Sequence, residues 1–326
     1  MASRVPLLST TCPHGSVEDF DVVHVSGRPL VVCACGHSAA MWSLLDDRWT
    51  EHQLTDEVEV TTVGATVAGG RIVVGGGGEH QGFAQWYLDS GAVRASERDD
   101  LAGVASTTTV ELDGRTWFAG GGTGSVILLS DPVEEVDPEE GEPESMELSL
   151  SDHGSYAGVG AVAAGRLGDR SLLVSGSWDG KVWLWDLREE APMMTFEELD
   201  SVVEGVAVVS VDGRPCVLAA GGTTLRLGDL GTGGRWEDPL PVPGGDISCM
   251  DVAWLKGRQV AVVGAEDGTV HTWDLENRRP LAEPFTAHTG DSRQRRIPAI
   301  RIIELHGRPA FVTSGGDSLR VWPLDG

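Results

Sequence analysis

Short apolar runs alternate along this chain with small and charged residues at a regular beat. "FDVVHV" (20–25) alternates apolar and polar positions, "GRPLVVCAC" (27–35) follows after a Gly-Arg step, and "AAMWSL" (39–44) comes after a small-residue turn. The same phrase returns as "TTVGATV", "GRIVVGGGG" and "FAQWYL", and later as "GVAVVSV", "GRPCVLAAGG" and "LRLGDL". Period-two alternation broken by Gly and Asp predicts short strands joined in hairpins. A fourth, weaker segment such as "APMMTFEE" (191–198) closes a unit.

The arginines of the Gly-Arg steps are Arg28, Arg71, Arg115, Arg170, Arg214, Arg258 and Arg308, most of them 43 or 44 residues apart. Four strands in about 44 residues is the signature of a propeller blade, unlike the helical repeats of similar length. The expected fold is all-β: a single seven-bladed β-propeller over 1–326, with four antiparallel strands per blade. The seventh unit stops after its third strand at "LRVWPLDG", whereas "SRVPLLSTTCPHG" (3–15) has the form of the fourth-strand segment "RRPLAEPFTAHTG" (278–290). Residues 4–11 are therefore expected to complete the last blade, burying Val5, Leu7 and Leu8 and hiding an open sheet edge.

"SGSWDGKVWLWDL" (175–187) and "GAEDGTVHTWDL" (264–275) carry Trp-Asp pairs at Trp185-Asp186 and Trp273-Asp274, and Asp-Gly turns at 179–180 and 267–268. These stretches resemble the WD40 repeat family. The resemblance implies structural tetrads of His, Ser or Thr, Asp and Trp, matched by His153, Ser175, Asp179 and Trp185 in blade 4 and by His288, Ser314, Asp317 and Trp322 in blade 7. The other blades depart from the pattern, with Leu129 and Gly228 in Trp positions. It also implies that loops around the channel mouth bind partners.

Composition narrows the partners. The 326 residues carry a formal charge of −26, which excludes nucleic acid or an anionic membrane as the main partner. No long apolar run or signal-peptide pattern occurs, and five cysteines without scaffold spacing point to a reducing compartment, so a soluble, cytoplasmic monomer is expected. Two loops exceed the period: an acidic one at 131–149 and a basic one at 289–298 holding Arg293, Arg295 and Arg296.

Candidate chemistry is sparse. Cys12, His14, Cys33, Cys35 and His37 gather in blade 1, where small-residue packing with a structural His14 competes with a zinc site. Trp178, in the blade 4 turn, is expected to project from the channel face, as a binding anchor or packed on a neighbouring loop. Glu79, His80, Asp246 and Glu266 share its rim, as do the carboxylates Asp200, Glu204 and Asp267. The Gly-Arg arginines should meet Asp89, Asp131, Asp186, Asp229 and Asp274 across the strands as ion pairs. No phosphate loop or nucleophile elbow is present, and no cofactor is expected. The favoured reading is a non-catalytic scaffold presenting the channel-mouth face to a protein or peptide. The alternatives are a binder of a small anionic ligand in the axial channel and a metal-dependent enzyme built on the blade 1 cluster.

Overall fold

The Gly-Arg steps define the hairpins. In "LDGRT" the strand Val104–Leu112 ends and Arg115–Gly122 begins around Asp113 and Gly114, whose φ angles are 51° and 79°. Two consecutive positive φ values make the type I′ turn that matches strand twist, and glycine takes the second at no steric cost. The turn recurs at Ser26-Gly27, Gly69-Gly70, Asp212-Gly213, Lys256-Gly257 and His306-Gly307. Blade 4 differs, placing Gly168 (φ 64°) first and Asp169 second.

The computed structural model describes residues 4–54, 59–78, 82–90, 92–95, 103–124, 126–131, 145–151 and 157–324. It is a seven-bladed propeller of antiparallel sheets. Taking strands a to d outward from the axis, blade 1 comprises Asp19–Val25, Arg28–Cys35, Ser38–Ser43 and Arg48–Gln53. Blade 4 comprises Val159–Leu167, Arg170–Ser177, Val182–Asp186 and Ala191–Thr195. Blade 7 takes Ile300–Leu305, Arg308–Gly315 and Ser318–Pro323 from one end of the chain and Leu8–Thr11 from the other.

That last pairing closes the ring. Leu8 lies opposite Val321 and Thr11 opposite Ser318, while the Leu7 and Cys12 backbone N–H groups donate to Val321 O and Asp317 O, each at 2.7 Å. The expectation of a buried apolar strand needs correction. Val5 is 77% and Leu7 50% exposed, because the outermost strand has no further sheet to cover it. Hydrogen bonds, the buried Cys12 and the half-buried Leu8, which packs on the core between blades 1 and 7, hold this segment.

Seven apolar clusters fill the disc among the described residues, each spanning two adjacent blades. Blade-to-blade packing is thus the core. Side-chain clasps reinforce it near the axis, where inner strands leave backbone N–H groups unpaired. Asp19 Oδ2 accepts from Val63 N–H (3.1 Å) and Thr62 Oγ1 (2.9 Å), and Asp21 Oδ2 accepts from Ala65 N–H (2.9 Å). Ser106 Oγ accepts from Val162 N–H (3.1 Å).

Blades 5 and 6 depart from the four-strand ideal. In "EDPLPVPGG" (237–245) three prolines remove strand donors, and the outer strand shrinks to Leu240–Pro241. Gly228 stands where other blades place a large side chain, and a Cβ there would lie 2.4 Å from Phe196. Trp236 stacks on Phe196 with ring centroids 4.7 Å apart and fills that space from outside. In blade 6 the outer strand is split into Arg279–Pro280 and Phe285–Thr286.

Candidate functional site: the channel mouth

The turns between strands b and c gather at one face around the axis. In blade 4 this turn is Ser177 to Lys181, held by Asp179, whose carboxylate accepts from the Ser177 hydroxyl and from Lys181 N–H (3.4 Å). Trp178 N–H donates to Gly158 O at 2.9 Å, which folds the residue over strand a. Its ring lies on Gly158 and Gly160, where a Cβ would come within 2.6 and 2.9 Å of ring atoms. Glycine at both positions gives the indole a flat seat. The opposite side of the ring faces outward, leaving Trp178 44% exposed.

Beneath this face is the axial cavity of about 930 Å³. Its charged lining is Glu18, Asp19, Asp21, Glu204 and Asp251 against Arg296 and Arg301, so carboxylates outnumber guanidiniums. Arg301 is already engaged, with Asp19 and Asp21 oxygens each 3.5 Å away and Asp251 close by. Burial raises the Asp19 and Asp251 carboxyls above their ordinary range, and Arg301 opposes that shift. At the mouth, burial likewise raises Glu204, opposed by Arg296 and reinforced by Glu266 and Asp246. An anionic ligand gains little from such a lining.

The structure brings Trp178, Arg296, Glu204, Asp246 and Glu266 to one rim, with Arg296 Nε 4.0 Å from Glu266. Arg293 and Arg295 stand exposed beside it, on the single helical turn Ser292–Arg295 capped by Asp291, whose Oδ1 accepts from Arg293 N–H (3.1 Å) and Gln294 N–H (3.0 Å). Asp267 is a turn former, accepting from Thr269 N–H (3.0 Å) and Oγ1 (2.6 Å). Glu79, His80, His153 and residues 132–144 of the acidic loop lie outside the described residues.

Structural tetrads are partial. Trp185 Nε1 donates to Ser175 Oγ at 2.8 Å in blade 4. In blade 7 the hydroxyl is Thr313, not Ser314: Trp322 Nε1 donates to Thr313 Oγ1 at 3.0 Å, and His288 Nε2 lies 2.9 Å from the same oxygen. The register explains the difference. Trp185 faces Leu173 and Trp322 faces Phe311, so the residue two further on, sharing that strand face, is Ser175 in one blade and Thr313 in the other. Asp317 is exposed.

No family model matches the sequence. Over 157 residues it is 28% identical to the WD repeat-containing protein RUP1 of Arabidopsis thaliana, covering 46% of this chain and 37% of that protein. Over 139 residues it is 28% identical to the small ribosomal subunit protein RACK1 of Schizosaccharomyces pombe, covering 40% and 42%. The matched stretches thus span less than half of each relative. A chain in the crystal structure of the mitotic checkpoint complex superimposes with a TM-score of 0.71 at 15% identity, covering 100% of this chain and 94% of that one. The chain is a seven-bladed β-propeller whose matched relatives include WD-repeat proteins.

On the other face of this propeller, the arginine ring is a set of ion pairs. Arg71–Asp89 (2.7 Å), Arg170–Asp186 (3.3 Å), Arg214–Asp229 (2.7 Å) and Arg258–Asp274 (2.9 Å) join the start of strand b to the end of strand c, and Arg115 pairs with Asp131. Arg28 pairs with Asp46 in the blade 1 turn.

The blade 1 Cys/His set does not converge. The Cys12 and Cys35 sulfurs touch at 3.4 Å in the core and Cys33 is buried beside them, but His14 Nδ1 turns to Glu51 (3.1 Å) and His37 is exposed. Among the described residues no three His, Cys, Asp or Glu side chains are grouped to hold a metal ion. Sequence reasoning missed Asp19, Asp21, Asp251 and Arg301. Their signal was a charged residue inside an otherwise apolar inner strand, as in "CMDVAWL" and "IRIIEL".

Proposed function

We propose that this WD-repeat propeller is a non-catalytic scaffold that binds a protein or peptide on its channel-mouth face. The observation that carries this reading is Trp178, a large aromatic held by its backbone on a glycine seat with an open face, in a rim shared with Glu204, Asp246, Glu266 and Arg296. Exposed aromatics and arginines at the centre of a rigid surface have the composition of binding hot spots. The WD-repeat relatives and the architectural neighbour taken from a multiprotein complex support the same class of role.

Affinity capture from the native cell tests it. Intact protein, Trp178→Ala, the triple Arg293/Arg295/Arg296→Ala variant and Trp254→Ala on the opposite face, itself 58% exposed, are compared after their melting points are matched. A partner lost with the first two variants and kept with Trp254→Ala supports the face assignment. A partner lost only with Trp254→Ala places binding on the opposite face.

A further inference from the structure

We infer that the occupant of the channel mouth is a cationic side chain, Lys or Arg, of an extended peptide, seated between the open face of Trp178 and the Glu204 carboxylate. This rests on the proposed binding face and names the chemistry of its partner. Gly160 lies against both segments: a Cβ there would meet both the Trp178 ring nitrogen and Val203 O at 2.9 Å, and Glu204 is the next residue in the chain. Trp178 and Glu204 both line the axial cavity.

Three independent features select a cation. The indole face attracts one through its quadrupole, most strongly among the aromatic side chains. The cavity lining holds five carboxylates against two guanidiniums, of which Arg301 is engaged by Asp19 and Asp21 and Arg296 lies 4.0 Å from Glu266. The burial that raises the Glu204 carboxyl is relieved by an incoming positive charge, so ligand binding and Glu204 ionisation reinforce each other. Long-range steering adds to this, since the chain carries −26 overall. The cavity of about 930 Å³ is open at the mouth and exceeds the volume of an arginine side chain.

Fluorescence polarisation with labelled ten-residue peptides, Gly/Ser-flanked with a central Arg, Lys, citrulline or Glu, tests the inference directly. The Arg and Lys peptides should bind, with citrulline and Glu weaker by at least about 10-fold, since the charge-assisted bond is lost. Glu204→Gln should weaken the Arg peptide by about 10-fold, Trp178→Ala by a similar factor, and Trp178→Phe by less, because a phenyl face retains part of the attraction. Glu189→Gln/Glu190→Gln, in the strand c–d turn of blade 4 on the opposite face, controls for nonspecific charge. If that variant loses as much as Glu204→Gln, or if citrulline binds as well as Arg, the inference fails. If the Glu peptide binds best and Trp178→Ala abolishes it, the face stands and the cationic occupant is wrong.

Discussion

Asp251 of blade 6 reaches across the inter-blade seam and accepts the backbone N–H of Ile302 in blade 7 at 2.6 Å. Its other oxygen caps Val252 N–H at 2.8 Å. One half-buried carboxylate thereby satisfies donors on two inner strands and helps neutralise Arg301. Asp251→Ala strands the Ile302 donor and should lower the unfolding free energy by about 2–3 kcal/mol in a denaturant titration. A loss below about 0.5 kcal/mol would show that water replaces the clasp without cost.

His288 makes the fold sensitive to acid. Burial, helped by the Arg320 charge, pushes its imidazole down to about 3 from an ordinary value of 6.5. The unfolded chain then takes up the proton first, so the His288 contribution is complete above about pH 6.5 and is lost as pH falls toward 3, at about 1.4 kcal/mol per unit. The stability gap between the parent and His288→Gln should shrink steadily over that range in parallel urea titrations.

The ion pairs of the arginine ring should not be equivalent. Asp274 is 1% exposed at its side chain and Arg258 24%, whereas Arg28 and Asp46 are both about half exposed. Arg258→Ala should cost about 1–3 kcal/mol because it leaves a buried carboxylate short of a partner, and Arg28→Ala about 0.5 kcal/mol or less. Equal losses in thermal unfolding would mean that burial does not set their strength.

Closure of the ring depends on backbone pairing at Leu8–Thr11, with little contribution from the exposed side chains before it. Val5→Ser/Leu7→Ser should therefore leave the melting temperature within a degree or two, whereas deletion of residues 4–11 exposes the Ser318–Pro323 edge and should produce aggregates by light scattering. A deletion variant that melts like the parent would contradict the closure.

Gly160→Ala tests the glycine seat. The added methyl meets the Trp178 ring and Val203 O at 2.9 Å, so the indole must lift from its seat. Partner capture should fall as it does in Trp178→Ala, and the melting point should drop by a few degrees, because the Val203 carbonyl is backbone and cannot swing aside. Unchanged capture would mean that the seat is not needed.

What the sequence made legible was local. The Gly-Arg steps are turns closed within a few residues, and the arginine–aspartate pairs follow from antiparallel register, so both repeat with the chain. Contacts between blades have no such period: nothing beside Asp251 marks Ile302 as its acceptor's donor, and nothing near Gly228 announces Trp236 from the next loop. Thr313 was misread as Ser314 because adjacent strand residues face opposite ways, and a one-residue slip exchanges the two faces. At the site, Trp178 was readable from its place in a turn; the glycine seat beneath it was not, since those glycines also suit a plain inner strand.

The strand shared by both ends of the chain imposes an order on assembly. During synthesis Leu8–Thr11 emerges early and waits, unpaired, until Ser318–Pro323 has been made. Blades 1 to 6 can dock in sequence, each on its predecessor, while the disc remains open like a split washer. Its last sheet forms only once Ser318–Pro323 is available, which makes the closing step slow through the long loop it must close.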